Sequence, residues 1–396
     1  MMAATFPWFA RPPVLQSRNA TVIGGGIAGC QIARSLAERG WQVTLLERHA
    51  RIASEASGNR AGVLIPKMTA EPSEGETFYR QAFTYAIQQI TRMEAAGHTI
   101  EWQQCGALQL AHEPREAARQ QALKQRHLPE SFIQILDAQQ ASAVAGIPLT
   151  VGASYFPQAG WLNPASFCAA LVAHEAIEVR TLSEAFQPIV GEVTIIANGR
   201  EADQWAQTAF LPFMPVAGQT SRAAASADSE RLQTTLGHEG YLTPAVAGQH
   251  IFGATFARNV REAVLDDSAN ATNFQQMTQY LPAFAASLSD VESSHAAVRM
   301  TTPDRYPIVG AVPDVAFFQQ AYADLRYGNP RLIYPPAQYQ QGLFISAGYG
   351  SRGLATSGLC AELLAAVITG EPLPVADSLY HNLHPARFLI RQLKRG

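Results

Sequence analysis

Gly24, Gly26 and Gly29 directly follow a short apolar run and open a stretch with apolar residues near helical spacing, Ile27, Ile32 and Leu36. Gly40 and a second apolar run, WQVTLLE, come next, and Glu47 closes that run 18 residues after Gly29. The order is strand, helix, strand. Gly24 permits a tight turn, Gly26 lets backbone N–H groups approach a pyrophosphate, and Gly29 lets the helix pack closely on the strand. The positive end of the helix then favours the negative charge. In such a unit Glu47 accepts hydrogen bonds from a ribose 2′-hydroxyl. The spacing predicts a dinucleotide-binding βαβ unit without choosing between a nicotinamide and a flavin.

The next loop, ASGNRAG at 56–62, offers small residues and side-chain donors in Ser57, Gly58, Asn59 and Gly62. These suit a backbone that runs against a phosphate or a flat ring. With 396 residues there is room for roughly two to four domains. Hydrophobic residues make up 47% and charged residues 15%, which excludes a disordered chain. The formal net charge of −3 supplies no global field for nucleic acid, so any RNA contact needs a local basic patch. Cys30, Cys105, Cys168 and Cys360 stand far apart, suggesting buried thiols and neither a zinc cage nor a disulfide framework. No apolar run approaches the ~18 residues of a membrane span, and the start has no signal-peptide order. A soluble, cytoplasmic protein is expected.

Residues 1–19, with three prolines and no periodicity, read as a linker or disordered tail. Helices are expected at about 76–96, 164–174, 270–286 and 354–369. Short apolar, glycine-bounded strands are expected at 106–111, 193–199, 215–220, 250–256 and 342–348. SRAAASADSE at 221–230 reads as a surface loop. Parallel-type strands flanking a β-rich middle suggest two domains that share the chain: 20–110, 150–215 and 295–396 binding the cofactor, 111–149 and 216–294 binding substrate. The fold class expected is α/β (α+β).

The blocks GGGIAG, Glu47, SGNRAGVLIPK, GWLNPASFC, IIANG, PVAGQ, GYLTP, VRMTTPDRYPIVG and GYGSRGL carry a resemblance that covers about residues 20–396. The chain resembles the FAD-dependent oxidoreductase domain of the bifunctional tRNA 5-methylaminomethyl-2-thiouridine biosynthesis enzymes, within the D-amino-acid oxidase and glycine oxidase family. The resemblance implies a Rossmann-like FAD-binding domain of the glutathione-reductase type beside an antiparallel substrate domain. It also implies oxidative removal of the carboxymethyl group from 5-carboxymethylaminomethyl-2-thiouridine at the tRNA wobble position, releasing glyoxylate. The methyltransferase domain that precedes this one in the fused enzymes is absent, although PWFARPP is similar to the interdomain linker. The chain is therefore read as a standalone version or a fragment, with a separate methyltransferase as a possible partner. The short stretch 177–192 leaves the adenine contact unassigned, and oligomeric state stays open.

By the same resemblance, Arg299 matches the position that holds the substrate carboxylate, where a planar cation can fix it bidentately and set the methylene against the flavin. Tyr241 matches a pocket tyrosine whose phenol can donate to that carboxylate. GYGSRG, with Gly350 and Gly353, opens a helix from Leu354 whose amides would face the flavin pyrimidine. Arg352 in this loop is a candidate to reach substrate or RNA. Ser351 stands where several small-molecule oxidases carry a site residue. Arg305 reads as structural or peripheral, and Lys67 as a solvated lysine with cavity lining as its alternative. Arg387, Arg391, Lys394 and Arg395 stand without an acid near the end. The spacing puts the first two and Arg395 on one helical face, a candidate tRNA-backbone patch. Two rivals share the cofactor motifs: an FAD amine oxidase of free glycine- or sarcosine-like molecules, and a non-catalytic flavoprotein acting as an RNA-binding or assembly module.

Overall fold

In this computed structural model, residues 6–185, 187–189 and 192–395 are described. They fall into two compact units. The first takes the described residues of Met1–Ser54, Leu171–Pro215 and Arg299–Gly396; the second is Glu55–Ala170 with Val216–Val298. Residues 55–110 and 150–170, expected with the cofactor half, therefore pack in the second unit. The reason is pairing: Ala107–Leu110 and Ala153–Phe156 bond to each other inside the antiparallel sheet.

The first unit is built on a six-stranded sheet. Its order is Ile308–Pro313, Tyr339–Ala347, Val193–Ile196, β1 (Asn19–Ile23), β2 (Gln42–Leu46) and Ile177–Arg180. All neighbours pair in parallel except Ile308–Pro313, which runs antiparallel on its edge. The central strands read as continuous apolar runs because helices cover them. Four of the five residues of β1 and all of Val193–Ile196 are buried. The chain leaves β1 for β2 on one side and later returns on the other with Val193–Ile196. This is a topological switch point, and the crevice beyond the carboxyl end of β1 follows from it. Helix α1 (Ile27–Ala37) packs along the long helix Gly353–Thr369. By length and composition Gly350–Thr369 could cross a membrane, but most of it is buried among these elements, as in a core helix.

The second unit carries a nine-stranded, largely antiparallel sheet. Its path runs Ala257–Arg258, Met214–Ala224, Gln249–Gly253, Tyr241–Leu242, Thr235–Gly237, Ala107–Leu110, Ala153–Phe156 and Gln134–Leu136, with Ser289–Thr301 also bonded to Met214–Ala224. The core on one face holds Leu108, Leu236, Phe252 and Met277. A smaller sheet joins Gly62–Leu64, Gly160–Leu162 and Trp102–Gln103.

Four further expectations need correction. Residues 1–5 of the expected tail lie outside the described residues, but Pro7–Phe9 form a helical turn. That turn inserts Trp8 among Phe318, Tyr322 and Ile390, because a tryptophan beside an apolar hollow gains more by burial than a free tail does by motion. The expected loop 221–230 begins instead as strand: Ser221 and Ala223 are fully buried within Met214–Ala224. The helix expected over 270–286 is two, Asp267–Tyr280 and Pro282–Ala285, because Pro282 has no N–H to continue the first.

The fourth is the basic face. Arg387 is only 2% exposed and its guanidinium forks onto Asp304, Nε to Oδ2 at 2.9 Å and Nη2 to Oδ1 at 3.1 Å. Arg391 also pairs with Asp304, and Lys394 lies over the ring of Trp8. The helix Arg387–Leu393 thus turns one of its cations inward, and the expected common face of free positive charge is broken. Burial alone would raise the Asp304 carboxyl, but hydrogen bonds and charge from Arg387 and Arg391 hold it below its ordinary value.

Replacing Arg387 by Ala leaves Asp304 without its forked partner, so stability should fall by about 3–5 kcal/mol, read as a lower denaturant midpoint. Because the folded Asp304 value is depressed, this contribution is present above the unfolded carboxylate value. It disappears as pH falls through the folded one. Wild type should lose stability on acidification more steeply than Arg387→Ala does.

Candidate functional site

At the carboxyl end of β1 the backbone turns through Gly24, with φ +110. A Cβ there would lie 2.6 Å from the carbonyl oxygen of Ala197, so sterics and dihedral both demand glycine. Gly29, in the first turn of α1, is tighter still: its Cβ would stand 1.9 Å from the Gly24 carbonyl oxygen. Gly26 caps α1 and brings no side chain to its open amides. Gly25, which the motif spacing leaves anonymous, is constrained more mildly, because a Cβ would be 2.9 Å from the Glu47 carboxylate and would displace that side chain.

Glu47 is buried just beyond β2. One carboxylate oxygen accepts from Gly25 N at 2.9 Å and the other from His49 N at 2.8 Å. Two backbone amides therefore hold the carboxylate at the glycine turn, and its remaining lone pairs can accept from hydroxyl groups.

The second glycine loop reaches the same turn of α1. Gly348 and Gly350 adopt φ +77 and +55, and a Cβ on Gly353 would touch Ile27 at 3.3 Å. Two helix N-termini, α1 and the helix beginning Gly353–Leu354, are thereby brought side by side, each entered through glycines. Arg352 is half-buried in the turn Gly350–Arg352, and Ser351 is exposed. A Cβ on Gly350 would lie 3.4 Å from Thr301. Thr301 and Arg299 share one face of the strand Ser289–Thr301, while Val298 and Met300 on the other face are buried. Arg299 thus sits one step along the strand from the residue that abuts the glycine loop. Arg305 is exposed at a left-handed position, φ +65, on the periphery.

Within the second unit the loop 55–62 is held at three points. Tyr241 Oη donates to the Ala61 carbonyl at 2.9 Å and accepts from Asn59 Nδ2 at 2.8 Å. Asn59 Nδ2 also donates to Ala61 O, and Thr220 Oγ1 donates to Asn59 Oδ1 at 3.3 Å. His295 Nε2 donates to the Glu55 carbonyl at 2.6 Å. Ser57 and Gly58 form the turn between these anchors, and Gly62 starts the small sheet. Lys67 lies 4.9 Å from the ring centroid of Tyr79. Thr220 and His295 were not singled out from the sequence. Their role depends on strand pairing that no local pattern announces.

The model of the family described as FAD dependent oxidoreductase matches residues 19–367. The chain belongs to that family. Its cofactor is FAD. A tRNA 5-methylaminomethyl-2-thiouridine biosynthesis bifunctional protein of Chromobacterium violaceum is 37% identical over 98% of this chain and 62% of its own length. One from Pseudomonas fluorescens is 38% identical over 100% of this chain and 63% of its own length. The chain thus spans less than two thirds of these relatives. Among solved structures, glycine oxidase from Geobacillus kaustophilus superposes with a TM-score of 0.72 at 21% identity, covering 92% of this chain and 97% of that one. Iminodiacetate oxidase from Chelativorans sp. BNC1 gives 0.68 at 21% identity, covering 91% and 98%. These likenesses show the fold of an FAD-dependent oxidase.

The residues present fit FAD. The close backbone approach at Gly24 and Gly29 sets the start of α1 against the end of β1, and the amides that follow Gly26 carry no side-chain cap, so they can receive a pyrophosphate. Glu47 offers acceptors where ribose hydroxyls donate. No adenine contact is assigned: the stretch 177–192 includes residues outside those described.

Gly29→Ala must push α1 off β1, and Gly24→Ala adds an unfavourable φ. Either variant should purify with less than about a tenth of the wild-type FAD per chain, measured by flavin absorbance against protein. Full flavin content in Gly29→Ala would remove the close helix approach from the argument.

Proposed function

We propose that this chain catalyses the FAD-dependent oxidative removal of the carboxymethyl group from 5-carboxymethylaminomethyl-2-thiouridine at the tRNA wobble position, giving the 5-aminomethyl product and glyoxylate. The observation that carries the proposal is the match, at 36–38% identity over 98–100% of this chain, to proteins named for tRNA 5-methylaminomethyl-2-thiouridine biosynthesis. The match to the oxidoreductase family over residues 19–367 supports reading this chain as the oxidative part of that chemistry. Methyl transfer to the product is a different reaction, and a tRNA substrate supports a cytoplasmic setting for this one.

When bound, FAD supplies a two-electron oxidant for the methylene between the amine and the carboxylate. The amine loses its proton, and water opens the resulting imine to a primary amine and glyoxylate. The chain's own part is placement. Arg299 is proposed to grip the carboxylate with its planar fork, which removes rotational freedom from the group to be oxidised. Its face of the strand, shared with the Thr301 that meets Gly350, supports this role. The amides at the start of Gly353–Thr369, with Leu354 in the first turn, are proposed to stabilise negative charge on the reduced ring. Ser57, Gly58, Asn59 and Gly62 are proposed to lie against the cofactor, and Arg352 to contact the substrate.

Tyr241 is proposed to act through the loop it holds, since its proton already goes to Ala61, with its ring left as a wall for substrate. Tyr241→Phe keeps the ring and removes both loop bonds. It should weaken FAD retention severalfold while changing the Michaelis constant for substrate little. A large rise in that constant with FAD held normally would place the phenol on the carboxylate instead.

Arg299→Lys keeps the charge but loses the fork. Anaerobic flavin reduction by carboxymethylaminomethyl-modified tRNA should slow by about tenfold or more, ~1.4 kcal/mol per decade, with FAD still bound. Unchanged reduction would remove Arg299 from the site. If wild type is reduced by sarcosine and ignores the modified tRNA, the free-amine oxidase reading replaces this one.

A further inference from the structure

A groove of about 930 Å³ lies in the first unit, outside the residues proposed to hold the cofactor and the reacting group. It is lined by Phe6 and Trp8 of the N-terminal turn, by Arg326 and Tyr334 of the segment 325–334, and by Lys394 after the last helix. Its aromatic rings are already organised. Phe6 stacks on Trp8 at 5.3 Å with an interplanar angle of 23°, and Tyr334 meets the Trp8 ring edge-on at 5.9 Å. Lys394 Nζ stands 5.4 Å from the Trp8 ring centroid. Phe6 remains 43% exposed while Trp8 is buried, so of the stacked pair it is Phe6 that stays open to solvent. Among the described lining residues there are two cations, Arg326 and Lys394, and no carboxylate.

We infer that this groove binds the backbone and unstacked bases of an RNA strand, and that it is a docking surface for the tRNA at a distance from the reacting base. The inference rests on the tRNA reading above and names where affinity for that partner arises. An open phenylalanine ring bordered by cations matches the two chemical parts of a nucleotide, a flat base and a phosphate. An acidic peptide would satisfy the cations but leave the rings without a planar partner. The overall charge of −3 makes such a local site necessary. Lys394 is the member of the C-terminal cation group that lines the groove, after Arg387 and Arg391 are taken by Asp304.

Position in the fold adds a consequence. Ala337 N donates to Pro7 O, which sets the groove beside the start of the strand Tyr339–Ala347, and the far end of that strand runs into Gly348. Nine residues at about 3.3 Å each separate groove and glycine loop by roughly 30 Å. A folded RNA spans that distance, and a free amino acid does not. The groove therefore acts on binding of the RNA-borne substrate alone.

The test is fluorescence anisotropy of labelled carboxymethylaminomethyl-modified tRNA with FAD-loaded protein across a salt series. In the double variant R326A/K394A, affinity should fall by about tenfold or more at low salt, and the salt slope should flatten by about 1.5, at roughly 0.7–0.9 for each phosphate no longer neutralised. Phe6→Ala should weaken binding without changing the slope, because it removes stacking and no charge. In both variants the bound-flavin spectrum, the FAD content per chain and the far-ultraviolet circular dichroism should match wild type, which controls for folding. Wild-type affinity and slope in R326A/K394A overturn the groove and leave the wobble-uridine function standing. A change in self-association without a change in tRNA binding makes the groove a protein contact and equally overturns the proposal. Wild type that binds no tRNA while oxidising sarcosine overturns both readings.

Discussion

The approach of α1 to β1 at Gly29 and Gly24 is the contact on which the first unit depends. Its interatomic gap is so small that a single methyl group would collide with a carbonyl oxygen. That closeness aims the amides at the start of α1 into the crevice where the sheet changes direction, and it lets Gly353 settle against Ile27. Two sets of orphan amides then share one place. Neither set requires a charged side chain to attract an anion, since unpaired N–H groups at a helix end carry partial positive charge. Glu47, pinned by Gly25 and His49, fixes the outer edge of the same crevice.

The second unit solves a different problem. Its loop 55–62 has little apolar surface to bury and cannot be positioned by packing alone. Position is instead supplied by hydrogen bonds from three separate strands, through Tyr241, Thr220 and His295. Directional bonds fix a loop in place at small cost in volume, leaving small residues free to line a surface.

How much of this was legible follows from the range of each interaction. The βαβ unit could be read because its steric demands fall within a short span of sequence, and the glycine spacing records them directly. Trp8 could not, because its partners Phe318, Tyr322 and Tyr334 stand at the other end of the chain. Arg387 was misplaced for a related reason. Helical spacing says which residues share a face, but it says nothing of Asp304, which turns that cation inward. The division of the chain was blurred at 55–110 and 150–170, where short strands fit either kind of sheet until their partners are known. In the candidate site the cofactor glycines were visible, whereas Thr220 and His295 emerge only from strand pairing.

The connectivity of the first sheet sets the order in which this protein can come into being. Ala20 pairs with Val193, and Thr194 in turn with Leu343, so β1 keeps one edge open until Val193–Ile196 is made, and that strand then waits for Tyr339–Ala347. During that interval β1 and β2 hold apolar strands with an open edge, a template for pairing with the wrong chain. Such long-range closure makes for slow folding. The cofactor cannot rescue the nascent protein early, since the glycine loop that meets α1 comes only after Tyr339–Ala347. A growing chain of this design therefore carries an unpaired strand edge until distant segments are made, a risk of misassembly written into its topology.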